Sequence, residues 1–227
     1  MEGTIVNVMA IIIGGFIGLL FRKGIKENIK TTVVQGISLG VIIIGVQMAL
    51  QVENMLVVII SLVLGGILGE IIKIEEKLYA GGKWLENRLG ESHGDVAKGF
   101  VTTSLIFCVG AMAIVGAIEN GLTGNPNTLY AKSILDGTIA MFFASTMGIG
   151  VLFSAVPVLL YQGTITIFAS SAKDFLTPEI INQITATGGI LILGIGINLL
   201  TDKNIKIGNL LPSVLIVVLI TIALGMF

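Results

Sequence analysis

Eight stretches of the chain are apolar over the length needed to cross a lipid bilayer. They are residues 4–21, 32–50, 55–73, 100–118, 131–148, 150–170, 180–200 and 208–226. A helix of about 20 apolar residues spans the hydrocarbon core of a membrane. The pattern therefore predicts an all-α integral membrane protein, a bundle of about eight transmembrane helices in a single membrane domain, residues 1–227.

The boundary between the fifth and the sixth stretch has two interpretations. Residues 148–150 contain no polar side chain, so residues 131–170 are either two full spans joined by a tight turn or one broken or re-entrant element. The second interpretation lowers the number of spans to seven. A single span of 40 residues is excluded, because about 20 residues already cross the hydrocarbon.

Composition agrees with the membrane class. Hydrophobic residues make up 54% of the chain and charged residues 12%, whereas soluble domains carry about 25% charged residues. The net charge of −1 gives no reason to expect a nucleic-acid partner, and the single cysteine, Cys108, excludes an intramolecular disulfide. Membrane lipids are the expected surroundings, and no cofactor is indicated.

The basic residues predict the orientation. Eleven of the thirteen follow the first, third or seventh stretch, and only Lys132 and Lys173 lie on the other side. Because basic loops remain cytoplasmic, we expect a multi-pass protein of the plasma membrane with both termini outside. The cytoplasmic connector 73–98 carries Trp84 on an apolar face and predicts one amphipathic segment in the interface, interrupted at Gly81–Gly82. The alternative is a solvated connector.

A lysine and an acid lie one helical turn apart in the fifth stretch. Lys132 and Asp136 have the i,i+4 spacing that places both on one helix face. Charges in hydrocarbon are costly, so they pair, face a polar interior or mark a functional site. Asp136 is the only acidic residue well within a span, and it is the first candidate for a substrate or ion site. The alternative is a structural ion pair, with Lys132 reaching towards water.

Polar residues in other stretches are candidates to complete that site. A buried amide requires a hydrogen-bond partner or a wet cavity. We expect Asp136 to share a small midplane site with other polar side chains; the candidates are Lys132, Ser145, Ser154, Gln162, Asn198 and Gln35. A lone amide, Asn7, lies in the first stretch. The metal content of such a site is not indicated.

Proline and glycine add two structural expectations. Pro157 removes a backbone donor within a span, so Pro157 and Gly163 are expected to bracket an irregular stretch. The 30 glycines, among them Gly14-xxx-Gly18, favour close helix packing. Matching Gly-to-Gly spacings also suggest an inverted three-helix repeat, with units 1–73 and 98–170 followed by helices in 179–227.

Several of these motifs together resemble a known family. They are Phe107 to Ile114, Lys132-Ser-Ile-Leu-Asp136, Phe143 to Gly148, Phe153-Ser154 with Val158 to Gly163, and Gly188-Gly189 with Gly196-Ile-Asn198. The chain is similar over essentially its whole length to the YdfK/YqgA-like family of bacterial inner-membrane proteins. The resemblance implies a polytopic plasma-membrane protein of a prokaryote and no particular substrate.

The residues leave three functions open. The first is a small secondary transporter or permease for a small solute or ion, coupled to Na⁺ or H⁺, with its site near Asp136. The second is an oligomeric channel, and the third is a non-transporting scaffold or regulatory protein. An enzyme is not expected, because no hydrolytic motif such as His-Glu-x-x-His is present. A homodimer is the expected assembly by frequency alone.

Overall fold

The computed structural model describes residues 1–22, 26–89, 95–109, 111–172, 177–201 and 203–225. In these ranges every regular element is a helix. The helices are α1 (Glu2–Arg22), α2 (Glu27–Ala49), α3 (Met55–Ile72), α4 (Ile74–Leu89), α5 (Val96–Cys108), α6 (Ala111–Thr123), α7 (Asn127–Met147), α8 (Gly150–Phe153), α9 (Ala155–Ile167), α10 (Ala169–Ala172), α11 (Pro178–Leu200), α12 (Ile207–Leu210) and α13 (Pro212–Ala223).

The helices expose large apolar side chains and bury small and polar ones. On α1, Phe16 and Leu20 are 56% and 79% exposed, whereas the buried face includes Gly3, Asn7 and Gly14. A water-soluble helix shows the opposite arrangement. Lipid tails solvate the apolar face, and small residues let neighbouring helices approach closely. The chain thus has the burial pattern of a helical membrane protein.

By length and composition, five helical stretches of the described residues qualify as membrane spans. They are Glu2–Arg22, Thr31–Ala49, Met55–Ile72, Gly150–Ile167 and Pro178–Leu200, and a bent pair, Val96–Cys108 with Met112–Thr123, makes a sixth. The two remaining predicted stretches are also helical, as α7 and as the shorter apolar run Ile207–Ala223. The exact number of crossings therefore stays a prediction.

The chain forms two compact units that interleave along the sequence. Unit 1 contains Met1–Val34, Tyr79–Cys108 and Met112–Lys173, and unit 2 contains Gln35–Leu78, Val109–Ala111 and Asp174–Phe227. The inverted repeat of 1–73 and 98–170 stays a prediction.

In unit 1, α1 packs against α7 through glycine. A Cβ on Gly14 would overlap the carbonyl oxygen of Gly137, and one on Gly18 would overlap that of Met141. Both contacts advance in the same chain direction, so α1 and α7 are parallel. Helix α9 is antiparallel to α1, because Thr4 contacts Thr166 and Gly15 approaches Leu152.

Helices α5 and α6 reach the length and composition of one span only as a pair, and we call this bent pair the broken span. They are bent by 58° across a short break. The start of α5 lies beside the end of α7, where Val96 approaches Gly150. The end of α6 lies at the opposite end of α7, because Gly116 approaches Leu129 and the Asn120 side chain accepts a bond from the Met1 amino group. The pair thus runs antiparallel to α7 instead of returning to the side from which it entered.

The connection between α7 and α8 is a tight turn. Gly148 ends α7 with φ +91° and ψ −157°, a conformation that only glycine adopts readily. Helix α8 begins two residues later at Gly150. The turn therefore separates α7 from the helical stretch Gly150–Ile167, which contains α8 and α9.

The prediction that Pro157 and Gly163 bracket an irregular stretch is wrong. Both lie inside α9, and the interruption falls earlier, at Ser154. Pro157 has no N–H for the carbonyl of Phe153, so the helix is interrupted on the amino-terminal side of the proline. Proline is tolerated in the first turn of a helix, which is its position in α9.

Unit 2 has two antiparallel pairs. Gly65 of α3 approaches Ser213 and Gly69 approaches Asn209, which packs α3 against α12 and α13. Gly45 of α2 approaches Leu193, and Gly196 of α11 approaches Ile42. Polar side chains join the end of α3 to the start of α12. Lys206 Nζ and Asn209 Nδ2 each donate to the Glu70 carboxylate at 2.6 Å.

Helix α4 is continuous through Gly81 and Gly82, so the predicted interruption there is wrong. Gly82 is buried against Ala97, and a Cβ would lie 2.7 Å from the Ala97 Cα. Close packing offsets the helix-propensity cost of glycine, about 1 kcal/mol. Trp84 is 60% exposed and carries the Arg88 guanidinium 5.3 Å from its ring centroid. The interfacial position of α4 stays a prediction.

Candidate functional site

The two charged residues of α7 are buried together. Lys132 and Asp136 are 6% and 5% exposed, and the Lys132 ammonium donates to Asp136 Oδ2. They lie in the first half of α7, on the face turned towards α1. A buried ion pair of this kind costs several kcal/mol of desolvation per ion. That cost is offset only if the remaining carboxylate lone pairs and ammonium N–H groups also form hydrogen bonds.

An amide from each neighbouring helix completes the cluster. Asn7 Nδ2 of α1 donates to Asp136 Oδ2 at 3.0 Å and to Gln162 Oε1 of α9 at 3.4 Å. Asn7 and Gln162 are both 0% exposed. We call these four residues, Asn7, Lys132, Asp136 and Gln162, the Asp136 network.

Two buried polar atoms of the network have no partner among the described residues: Asn7 Oδ1 and Gln162 Nε2. An unpaired buried polar group costs roughly 1–3 kcal/mol. One atom is an acceptor and the other a donor, so a small polar species that enters the network finds both kinds of hydrogen-bonding group. Unpaired buried polar groups are uncommon in native proteins, and a bound water, an ion or a functional role accounts for them.

The broken span contributes its end to the same place. The Lys132 Nζ lies 6.0 Å from the centroid of the Phe107 ring, in the last turn of α5. A cation over the face of an aromatic ring is attracted by the negative charge of that face. The Phe107 ring therefore favours a cation at the position that the Lys132 ammonium occupies.

Among the predicted site residues, Lys132 and Gln162 do join Asp136. Ser145 and Ser154 do not, because each hydroxyl donates to a carbonyl of its own helical turn, Phe142 and Val151 respectively. Serine hydroxyls in apolar helices commonly satisfy themselves in this way.

Asn198 and Gln35 belong to unit 2. The Asn198 side chain donates to the Ile205 carbonyl and accepts from the Ile205 N–H, at 2.7 and 2.9 Å. It thereby closes the connection between α11 and α12, a local structural role. Gln35 is exposed on α2. Asn7 is the network residue that was not predicted as part of the site, although a lone amide beside a glycine motif was a usable signal.

The network lies at different depths along its helices: Asp136 is the tenth of the 21 residues of α7, next to its middle. Asn7 lies five residues after the start of α1 at Glu2, or ~7.5 Å along the axis at 1.5 Å per residue. The predicted midplane depth of the site stays a prediction. The site lies between three helices, α1, α7 and α9.

Comparison with known proteins identifies the family. Residues 2–222 match the family model described as "Protein of unknown function (DUF554)", and the chain belongs to this family. It is 36% identical over 220 residues to the uncharacterized membrane protein YdfK of Bacillus subtilis (strain 168), covering 95% of this chain and 93% of YdfK. It is 29% identical over 219 residues to the uncharacterized protein YqgA of Escherichia coli (strain K12), covering 94% and 93%. No solved structure matches.

Proposed function

We propose that the chain is a small secondary transporter of the plasma membrane that recognises a small solute or ion at the Asp136 network. The observation that carries the proposal is a buried ion pair with two unpaired amide atoms, held between α1, α7 and α9. Ionisable residues within membrane helices commonly mark substrate or ion pathways. The break between α5 and α6 beside this pair supports the same function, since transporters build ion sites at the ends of interrupted helices.

The helix directions support eight alternating crossings, with both termini on one side of the membrane. Odd-numbered crossings would then run in one direction and even-numbered ones in the other. In unit 1, α1 and α7 are parallel, while α9 and the broken span oppose them, as this order requires. In unit 2, α3 opposes α13 and α2 opposes α11, which also agrees with it. The proposed orientation rests on the distribution of basic residues.

A purely structural ion pair is the competing interpretation. Replacing a buried pair by apolar residues of similar volume is often neutral or stabilising, so stability alone is a weak reason to keep one. A structural role also gives no use to the unpaired Asn7 Oδ1 and Gln162 Nε2.

The test is transport by purified protein in liposomes. Gradients of Na⁺, K⁺, H⁺ and a panel of small neutral and charged solutes are applied, and charge displacement and uptake are recorded. At least one gradient is expected to drive a signal that Asp136→Asn abolishes. The matched control is Glu70→Gln, which neutralises an exposed carboxylate paired with Lys206. Equal signals from Asp136→Asn and the parent, or no signal from the parent across the panel, would exclude the proposal.

A further inference from the structure

We infer that the Asp136 network is a monovalent-cation site in which the Lys132 ammonium is a tethered competitor for the cation. The inference deepens the proposed function and rests on it. It concerns which species occupies the site, and it is argued from the oxygen atoms around Asn7 Nδ2.

The Asn7 amide is the centre of the site. Its Nδ2 contacts Asp136 Oδ2 at 3.0 Å and Gln162 Oε1 at 3.4 Å, while its Oδ1 has no partner among the described residues. The oxygen and nitrogen of an amide exchange places on a half-turn of the terminal torsion. That rotation puts Asn7 Oδ1 at about the position of Nδ2 and brings three oxygens together.

Three oxygens without hydrogens between them repel one another unless a cation lies among them. Oxygens that ligate one hard cation at about 2.4 Å in octahedral geometry are about 3.4 Å apart. The present separations around Asn7 fall close to that value. Asn7 Oδ1, which has no partner among the described residues, is therefore an oxygen that can ligate a cation. The rotation of the Asn7 amide converts a hydrogen-bonded cluster into a cation site.

Charge determines the class of cation. The network contains one carboxylate, from Asp136, which is neutralised by one ammonium, from Lys132. A monovalent cation that replaces the ammonium preserves this balance, whereas a divalent cation leaves an excess positive charge in a low-dielectric site. The face of the Phe107 ring favours positive charge there in either state.

Lys132 has a route out of the site. It lies close to the amino-terminal end of α7, which begins at Asn127, and its four-carbon stem allows the ammonium to extend towards that end. Cation binding thus competes with the Lys132–Asp136 pair. Removing the ammonium is expected to raise the affinity for the cation.

The experiment measures the melting temperature of purified protein in NaCl, LiCl or KCl, with choline chloride keeping the ionic strength constant. Lys132→Gln is expected to show a saturable rise with at least one alkali cation, at a concentration at least tenfold below that needed by the parent. Lys206→Gln, which removes an exposed lysine from a carboxylate, is the matched control and should match the parent. Adding Asn7→Val to Lys132→Gln should remove the rise.

The inference is overturned if no alkali cation stabilises Lys132→Gln above the choline reference, or if the added Asn7→Val leaves the rise unchanged. Should Lys132→Gln not fold, Asn7→Asp keeps the lysine and adds a carboxylate at the same point. It must then respond to an alkali cation at lower concentration than the parent, and an unchanged response overturns the inference. If a neutral solute is transported in an Asp136-dependent way and no cation has an effect, the cation site is rejected and the proposed function is kept. If a cation stabilises the protein but no transport is found, the cation site is kept and the proposed transport function is rejected.

Discussion

Helices α1 and α3 share a glycine motif but differ in what they bury beside it. Gly14-Gly15-x-x-Gly18 of α1 and Gly65-Gly66-x-x-Gly69 of α3 both meet backbone atoms of a neighbouring helix. With the glycines aligned, Asn7 of α1 corresponds to Val58 of α3, and both side chains are 0% exposed. The glycines provide close approach in both places, whereas the position seven residues before the first glycine carries an amide in α1 and an apolar side chain in α3.

The partners of the two helices differ in the same sense. Helix α1 meets the buried Lys132–Asp136 pair on α7. Helix α3 keeps its acid at its end, where Glu70 pairs with Lys206 and both side chains are more than half exposed. A lysine–carboxylate pair thus occurs once buried and once exposed. The two pairs differ in the cost of removing their charges from water. Buried and exposed pairs are therefore expected to respond very differently to substitution.

The largest effect is expected from breaking the buried pair on one side. Lys132→Ala leaves the Asp136 carboxylate buried without its cation, and we expect a loss of about 3–5 kcal/mol. Lys206→Ala in the exposed pair should cost far less, because water screens the charges of that pair. Denaturation in detergent measures both, and the double variant Lys132→Met/Asp136→Leu should recover most of the stability. Similar losses for the two lysines would contradict the distinction.

The shared glycine motif predicts equal damage in both helices. Gly14→Val and Gly65→Val each place a side chain against backbone of the neighbouring helix, and we expect each to cost roughly 3 kcal/mol. Gly40→Val is the control, because a Cβ at Gly40 meets no atom within 4 Å. The readout is the yield of monodisperse protein and its melting temperature. A harmless Gly14→Val would show that α1 and α7 are not in close contact.

A smaller effect is expected when α1 is made to resemble α3. Asn7→Val removes the hydrogen bond to the Asp136 carboxylate but also removes the unpaired Oδ1. The two changes oppose each other, so we expect a net loss of about 1–2 kcal/mol. The variant should fold while losing any transport found for the parent. Full retention of transport would remove Asn7 from the site.

The smallest effect concerns Glu75, which lies in the first turn of α4. Burial raises the pKa of Glu75 above its ordinary value, and the Gly208 N–H, which donates to Glu75 at 2.5 Å, offsets this only in part. A raised folded-state pKa means that this contribution to stability is present below the ordinary pKa and is lost as pH rises through the raised value. Glu75→Gln should therefore melt slightly higher than the parent at pH 7.5, with the difference shrinking towards pH 4. A constant difference between the two pH values would contradict this assignment.

Sequence patterns predicted the helical membrane class and the central pair because both depend on local chemistry. Apolar length predicts helices, and i,i+4 spacing brings Lys132 to Asp136 without any knowledge of tertiary contacts. Asn7 and Gln162 join them through packing between distant segments, which spacing along one helix does not encode. Gln162 was predicted from its polarity, and the same argument wrongly included Ser145 and Ser154, whose hydroxyls satisfy their own helices.

Two misjudged helix interruptions have a common cause. Gly81–Gly82 lies within a continuous helix because Gly82 packs on Ala97, and the break near Pro157 lies on its amino-terminal side, at Ser154. In both places the glycine or proline correctly indicated a special backbone position. Whether the helix is interrupted there, and at which residue, depends on tertiary packing.

The turn at Gly148 joins the helical stretches that carry Asp136 and Gln162, so a change of angle between them would take this turn as a pivot. Asp136 precedes Gly148 by twelve residues, so at 1.5 Å per residue the lever arm is ~18 Å. A rotation of roughly 10° about the pivot displaces the carboxylate by ~3 Å, about the length of one hydrogen bond. A change of this size between α7 and α9 would therefore be enough to make or break the hydrogen bonds that Asn7 forms with Asp136 and Gln162.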